Sequence, residues 1–218
     1  MNARTSMLAI ASAPTWRRSR PRLCGAALVD IRLTVRVSRN IHGVTSGPRV
    51  HLVPLAEKHL DATLQWVNDP AMMRLLGRVA RVEADEHQRW FERLKQRTDC
   101  RYFSVETTDG ALHVGNIWLW DIDTTNRKAE VRILFGDEAA RGRGYGSDAI
   151  RMLSDLAFDT MSLHRLYAYV FSINPQAKRA FEKAGFSAEG VLRQDRRVAD
   201  EYVDVYLLAQ LASERGGG

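Results

Sequence analysis

The six residues Arg141-Gly142-Arg143-Gly144-Tyr145-Gly146 stand between a strand-like run, Lys128–Phe135, and a helical one, and no other stretch limits the fold so tightly. Three alternating glycines let successive backbone N–H groups turn towards one point with no Cβ in the way. A helix opening at once behind them adds its unpaired donors and the positive end of its dipole, which makes an anion site. The two arginines add charge, and a diphosphate is the natural guest. The loop is not a Walker loop, since no Gly-Lys-Ser/Thr follows. Nor has Gly-x-Gly-x-Gly the Gly-x-Gly-x-x-Gly spacing of a dinucleotide fingerprint, and it comes late, after several strands.

Strands are expected at Val50–Leu55, Arg101–Glu106, Leu112–Trp120 and Lys128–Phe135. Between them lie a hairpin turn at Asp109-Gly110, a bulge at Gly115 and a polar loop over Asp121–Arg127. Helices are expected over His59–Val67 and Glu83–Arg97, the second with Trp90, Phe91 and Leu94 on one stripe. Behind the glycine loop a helix runs to about Thr160. Ala149, Ile150, Leu153, Leu156 and Ala157 share its apolar face, while Asp148, Arg151, Ser154 and Asp155 fall elsewhere. A strand follows at His164–Phe171. The next helix has both ends written out: Asn174 as N-cap, Pro175 at the first position and Gly185 at C′. Ala177, Ala180, Phe181 and Ala184 make its buried stripe. Two strands then reach about Leu211. Strands followed by a strand–helix–strand alternation give one α/β layer on a mixed sheet.

The net charge of +6 divides unevenly. Residues 1–50 hold nine arginines and one acid, Asp30, for +8; the rest hold 23 basic and 25 acidic side chains, for −2. The basic character belongs to residues 1–47, which show no period of 2 or 3.6. They read as a disordered tail ahead of a domain at 48–213 and a short tail at 214–218. Leu23–Val29, interrupted by Cys24 and Gly25, is too short for a secretory core. No basic face for nucleic acid follows residue 50, and no apolar run approaches the ~18–20 residues of a membrane span, so neither partner is expected. Cys24 and Cys100 sit in no metal-ligand or disulfide spacing. No metal site is expected, and the compartment expected is the cytoplasm.

ARGRGYGSDAI (140–150), LHRLYAYVFSINPQAKRAFEKAGFSAEGVLR (163–193) and EYVDVYLLAQL (201–211) carry a resemblance. Together they are similar to the acetyl-CoA-dependent GNAT N-acetyltransferases, most of all to the branch with the ribosomal-protein N-terminal acetyltransferases. The resemblance spans about residues 49–212 and is dense from Val131 to Leu208. It implies a mostly antiparallel sheet with splayed central strands, flanked by helices. It also implies that the backbone of Arg141, Gly142, Arg143, Gly144, Tyr145 and Gly146 holds the CoA pyrophosphate. Ile133, Leu134 and Phe135, with Arg132 before them, would lie along the pantetheine arm, and Asn174 would stand at the mouth of the splay. As an N-cap Asn174 also has a purely structural role open to it.

Transfer of an acetyl group to an amine needs a base, a polarised carbonyl and a proton for the leaving thiolate. Glu130, near the start of the strand that would line the pantetheine and on one face with Arg132, is the candidate base; a cross-strand ion pair with Arg127, Lys128 or a neighbouring strand is its other reading. Asp121, Asp123 and His113 are weaker candidates. A backbone N–H such as that of Leu134 would polarise the carbonyl. The family's tyrosine acid falls seven residues after Asn174, where this chain has Phe181, which donates no proton. Tyr145, Tyr167, Tyr169 and Tyr202 are the possible substitutes. The segments HVGNIWLWDID (113–123) and KAEVRILFGD (128–137) are similar to transferases acting on aminosugar nucleotides. The acceptor is thus expected to be a small-molecule amine of that kind, with a peptide N-terminus or a polyamine as alternatives. A non-catalytic acyl-CoA-binding module is the rival reading, and a homodimer is compatible with each.

Overall fold

The computed structural model describes residues 49–136, 140 and 142–216. The tail at 1–47 and Arg141 lie outside the described residues. Among the described residues seven strands form one sheet: β1 (Val50–Pro54), β2 (Arg101–Thr107), β3 (His113–Asp123), β4 (Lys128–Phe135), β5 (Arg165–Phe171), β6 (Ser187–Val198) and β7 (Glu201–Leu211). Their order is β1-β2-β3-β4-β5-β7-β6. Every neighbouring pair is antiparallel except β4 and β5. That parallel pair holds at Lys128↔Arg165, Ala129↔Leu166 and Glu130↔Tyr167 only, and beyond Glu130 the two strands part. This is the splay at the centre of the sheet.

Among the described residues five α-helices cover the sheet: α1 (Leu60–Val67), α2 (Pro70–Leu75), α3 (Ala84–Lys95), α4 (Tyr145–Asp155) and α5 (Pro175–Lys183). α4 and α5 lie on one face, where Ala149, Ile150, Leu153 and Phe181 pack with Ala129, Val131, Leu166 and Ala168. α1, α2 and α3 lie on the other, where Val67 and Met72 join Trp118 and Leu134, and Trp90 and Phe91 meet Leu60. Two residues expected on the polar side of α4, Asp148 and Ser154, are buried instead. Asp148 is buried because two arginines cover its carboxylate, Arg49 at 2.9 Å and Arg151 at 2.8 Å.

Other departures have local causes. α2 was not expected, yet Asp69 accepts a hydrogen bond from the Met72 N–H at 2.9 Å and Pro70 occupies the first position, the usual pair of helix-start devices. β3 runs on to Asp123, past a break at Asp121, whose φ is 52°. The bulge near Gly115 falls on Val114, between the pairs Val105↔Gly115 and Glu106↔His113. Gly115 is needed for closeness: a Cβ there would lie 2.5 Å from the Leu134 carbonyl oxygen. Residues 212–216, partly within the expected tail, close as a 3-10 turn in which Arg215 pairs with Asp155 and Asp159.

A buried polar network ties α1 to β2 and β3. The Ala56 N–H donates to His59 Nδ1 at 3.0 Å, so Nε2 carries the ring proton and donates to Glu106 at 3.0 Å. Asn116 donates to Thr63 at 2.9 Å and accepts through its oxygen from Ser104 and His113, at 3.2 and 3.0 Å. Burial holds His113, and His87 in α3, below the usual histidine range. Below about pH 6.5 the unfolded chain therefore takes up protons that the folded one refuses. Stability is expected to be flat above that pH and to fall as pH drops from about 6.5 towards 5. Urea midpoints at pH 7.5, 6.5 and 5.5 test this; equal midpoints for the native chain contradict it, and a His87→Gln, His113→Gln variant should lose most of the slope.

Candidate active site

Where β4 leaves β5 a cleft of about 290 Å³ opens. Ile133, Leu134 and Phe135 of β4 line it, as do Gly142, Gly144, Tyr145 and Gly146 of the loop and Asn174 at the start of α5. Eight of the residues expected to hold the cofactor thus meet around one cavity. Arg143 does not line it; its carbonyl accepts from the Arg49 guanidinium at 2.5 Å.

The loop adopts its shape through left-handed backbone at Gly142 (φ 76°) and Gly144 (φ 84°), which side chains disfavour. Gly144 is the N-cap of α4, and Ser147 Oγ donates back to its carbonyl at 2.9 Å. A Cβ at Gly144 would collide with the Arg49 guanidinium. Asn174 caps α5 as expected, accepting from the Ala177 N–H at 3.0 Å. One face of α5 then presents Gln176, Arg179 and Lys183 to the cleft. Neither Arg179 nor Lys183 has a carboxylate partner among the described residues, unlike Arg132, Arg165 and Arg215. Met72, Leu75 and Leu76, in α2 and just past it, supply an apolar wall.

Glu130 stands apart from this cleft, three residues before Ile133 and so about 10 Å away along the strand at ~3.3 Å per residue. It lies at the vertex of the splay, in register with Tyr167. Its carboxylate is buried and held at both oxygens by Arg132, with Nε–Oε1 at 2.7 Å and Nη2–Oε2 at 2.8 Å. Burial pushes Glu130 above the usual carboxylate range although Arg132 opposes the shift. Trp120, paired with Glu130 on β3, lies with its ring 5.1 Å from the Arg132 guanidinium. Tyr167 and Tyr169 meet edge to face at 5.9 Å on the β5 side. Burial raises both phenols, and the charge of Glu130 adds to it.

The remaining candidates separate. Asp121 is exposed at the β3 break, and its charge helps raise Glu130 and Tyr167. Asp123 holds a turn, accepting from the Asn126 backbone at 2.8 Å. His113 belongs to the α1 network, Tyr145 to the cofactor cleft, and Tyr202 is 66% exposed. Phe181 is 2% exposed and packs edge to face on Phe186.

Residues 49–187 match the Acetyltransferase (GNAT) domain. The chain belongs to the GNAT acetyltransferase family. It is 31% identical over 120 residues to a probable N-acetyltransferase, YjcK, of Bacillus subtilis, covering 55% of this chain and 66% of that relative. It is 32% identical over 114 residues to a spermidine N(1)-acetyltransferase of Vibrio cholerae, covering 52% and 65%. The chain spans just under two thirds of the length of these two curated relatives. Among solved structures it is similar to a spermidine N-acetyltransferase from Vibrio cholerae in complex with CoA and spermine, with a TM-score of 0.71 at 25% identity. That match covers 76% of this chain and 97% of the other.

GNAT enzymes take their acetyl group from acetyl-CoA, and the cleft fits that molecule. The loop offers backbone donors to a diphosphate, β4 and α2 offer apolar walls to an arm, and Arg179 and Lys183 offer charge to a further phosphate. The α2 wall and the α5 cations were missed in the sequence. Asp69-Pro70 was the signal for the first; the spacing of Gln176, Arg179 and Lys183 along one helix face was the signal for the second.

Proposed function

We propose that the chain is an acetyl-CoA-dependent N-acetyltransferase whose acceptor is the primary amine of a polyamine. The observation that carries the enzymatic reading is the splay: an anion loop and an apolar cleft on one side of it, and a buried carboxylate at its vertex. The polyamine rests on the spermidine acetyltransferases among the relatives. Acetyl-CoA held in the cleft would supply the thioester. The amine nitrogen would bond to the carbonyl carbon, and the carbon–sulfur bond would break to leave the CoA thiolate. The proton given up by the amine would be balanced by one taken up by the thiolate from water.

The chain's own residues have the following parts. Gly142, Gly144, Tyr145 and Gly146 hold the diphosphate, and Ile133, Leu134 and Phe135 lie along the arm. Glu130, raised by burial, takes the amine proton directly or through water. Cys100, the only cysteine among the described residues, is buried and its thiol is pushed up to about 12, so it stays protonated and carries no acetyl group in passing. In this reading the amine attacks the thioester directly.

Release of CoA thiol by the full chain with spermidine, spermine, an aminosugar nucleotide and a short peptide is the test. Turnover fastest with a polyamine supports the proposal. Faster turnover of the aminosugar nucleotide overturns the acceptor and keeps the enzyme. Tight CoA binding with no turnover of any amine gives the non-catalytic module instead. In the same assay Arg179→Ala and Lys183→Ala should each raise the KM for acetyl-CoA about threefold, less at high salt, because exposed charges near a phosphate contribute little each. An unchanged KM in both means that α5 does not meet the phosphates.

A further inference from the structure

The anion loop has a back as well as a front. Gly142, Gly144 and Tyr145 line the cleft, whereas Arg49, on the residue before β1, reaches the same loop from outside it. Its guanidinium makes two contacts there. Nη1 donates to the Arg143 carbonyl at 2.5 Å, and Nε donates to the Asp148 carboxylate at 2.9 Å. It also fills the space that a side chain on Gly144 would need.

Asp148 explains why such a residue is wanted. It sits in the first turn of α4, buried, just behind the loop residues Gly144 and Tyr145 that line the cleft. A bare carboxylate at that place repels a diphosphate and opposes the helix end that attracts it. Arg151 covers one of its oxygens at 2.8 Å and Arg49 the other. The Arg143 carbonyl is a second unfavourable dipole, and the bond to Arg49 keeps it turned to the outer side of the loop.

We propose that Arg49 is a positioning residue for the cofactor: it masks Asp148 and holds the Arg143 carbonyl away, so that only amides and positive charge face the diphosphate. The proposal rests on the reading of the loop as the CoA diphosphate site. Lysine does not serve equally, since one ammonium lacks the fork that spans carboxylate and carbonyl together.

The test is calorimetric binding of CoA to the full chain. A native chain that does not bind CoA removes the cofactor reading and this proposal together. Where it binds, Arg49→Met should weaken CoA about tenfold, and adding Asp148→Asn should recover at least a third of the lost affinity ratio on a logarithmic scale. A purely structural role predicts that loss and recovery of affinity follow the melting temperature of each variant, because Asp148→Asn also removes a buried charge left without Arg49. Recovery of affinity at an unchanged melting temperature is the result that masking alone gives. Less than a threefold loss in Arg49→Met, or a loss that Asp148→Asn does not reduce, overturns the proposal. If Arg49→Met does not fold, Arg49→Lys takes its place: a loss of at least threefold supports the proposal and an unchanged Kd overturns it.

Discussion

Glu130→Gln lowers kcat by about 100-fold and leaves the affinity for CoA within about twofold, if the carboxylate at the splay is the base. The two effects separate because Glu130 is outside the cofactor cleft, at the vertex where β4 and β5 last pair. Its pH dependence follows from burial. A base works only when ionised, and a carboxylate held above its ordinary range loses its proton later, so kcat/KM should fall on the acid side at a pH above 4.5. That acid limb should disappear in Glu130→Gln. The substitution also leaves Arg132 with a neutral partner in a buried place, which costs stability. Melting curves therefore accompany the kinetics, and Glu130→Asp, which keeps the charge but draws it back, should fall between the two. A folded Glu130→Gln chain with kcat within threefold of native would leave Glu130 as half of an ion pair and nothing more.

The sheet and its helices were legible where the signal is local. Asn174, Pro175 and Gly185 delimit α5 because capping depends on a few adjacent residues, and the structure puts each in that role. The Gly-x-Gly-x-Gly loop was legible for the same reason. What escaped depends on distance along the chain. No period or motif marks Arg49 as a partner of Asp148, since the two are brought together only when β1 and α4 pack. Asp148 looked like a solvent-facing residue because a helical wheel knows nothing of an arginine arriving from the residue before β1. Glu130 illustrates a middle case. Its shared face with Arg132 follows from strand alternation, but the bidentate grip of that arginine and the burial of the pair appear only once β4 lies between β3 and β5. α2 shows the cost of ignoring a short signal: Asp69-Pro70 states a helix start, and six residues of helix suffice to wall the cleft.

Phe181→Ala should be the most destabilising of the substitutions considered, by about 3–5 kcal/mol, the range for truncating a buried aromatic ring. At ~2–4 °C per kcal/mol for a chain of this size, the melting temperature falls by about 10 °C. The position is costly for two reasons. The ring fills the core between α5, α4 and the sheet, and it belongs to the device that ends α5: the Phe186 N–H reaches the Phe181 carbonyl at 3.1 Å while their rings meet at 5.0 Å. The backbone bond is open to any residue at 181, so it is the ring contact across the left-handed Gly185 that the truncation removes. Phe181→Leu discriminates packing from chemistry. It keeps an apolar side chain of similar reach and should melt well above Phe181→Ala, with kcat within about twofold of native, because no proton passes through the ring. Should kcat collapse in a folded Leu variant, the ring shapes the reacting geometry as well as the core, and the absence of a tyrosine hydroxyl would no longer be neutral for the chemistry.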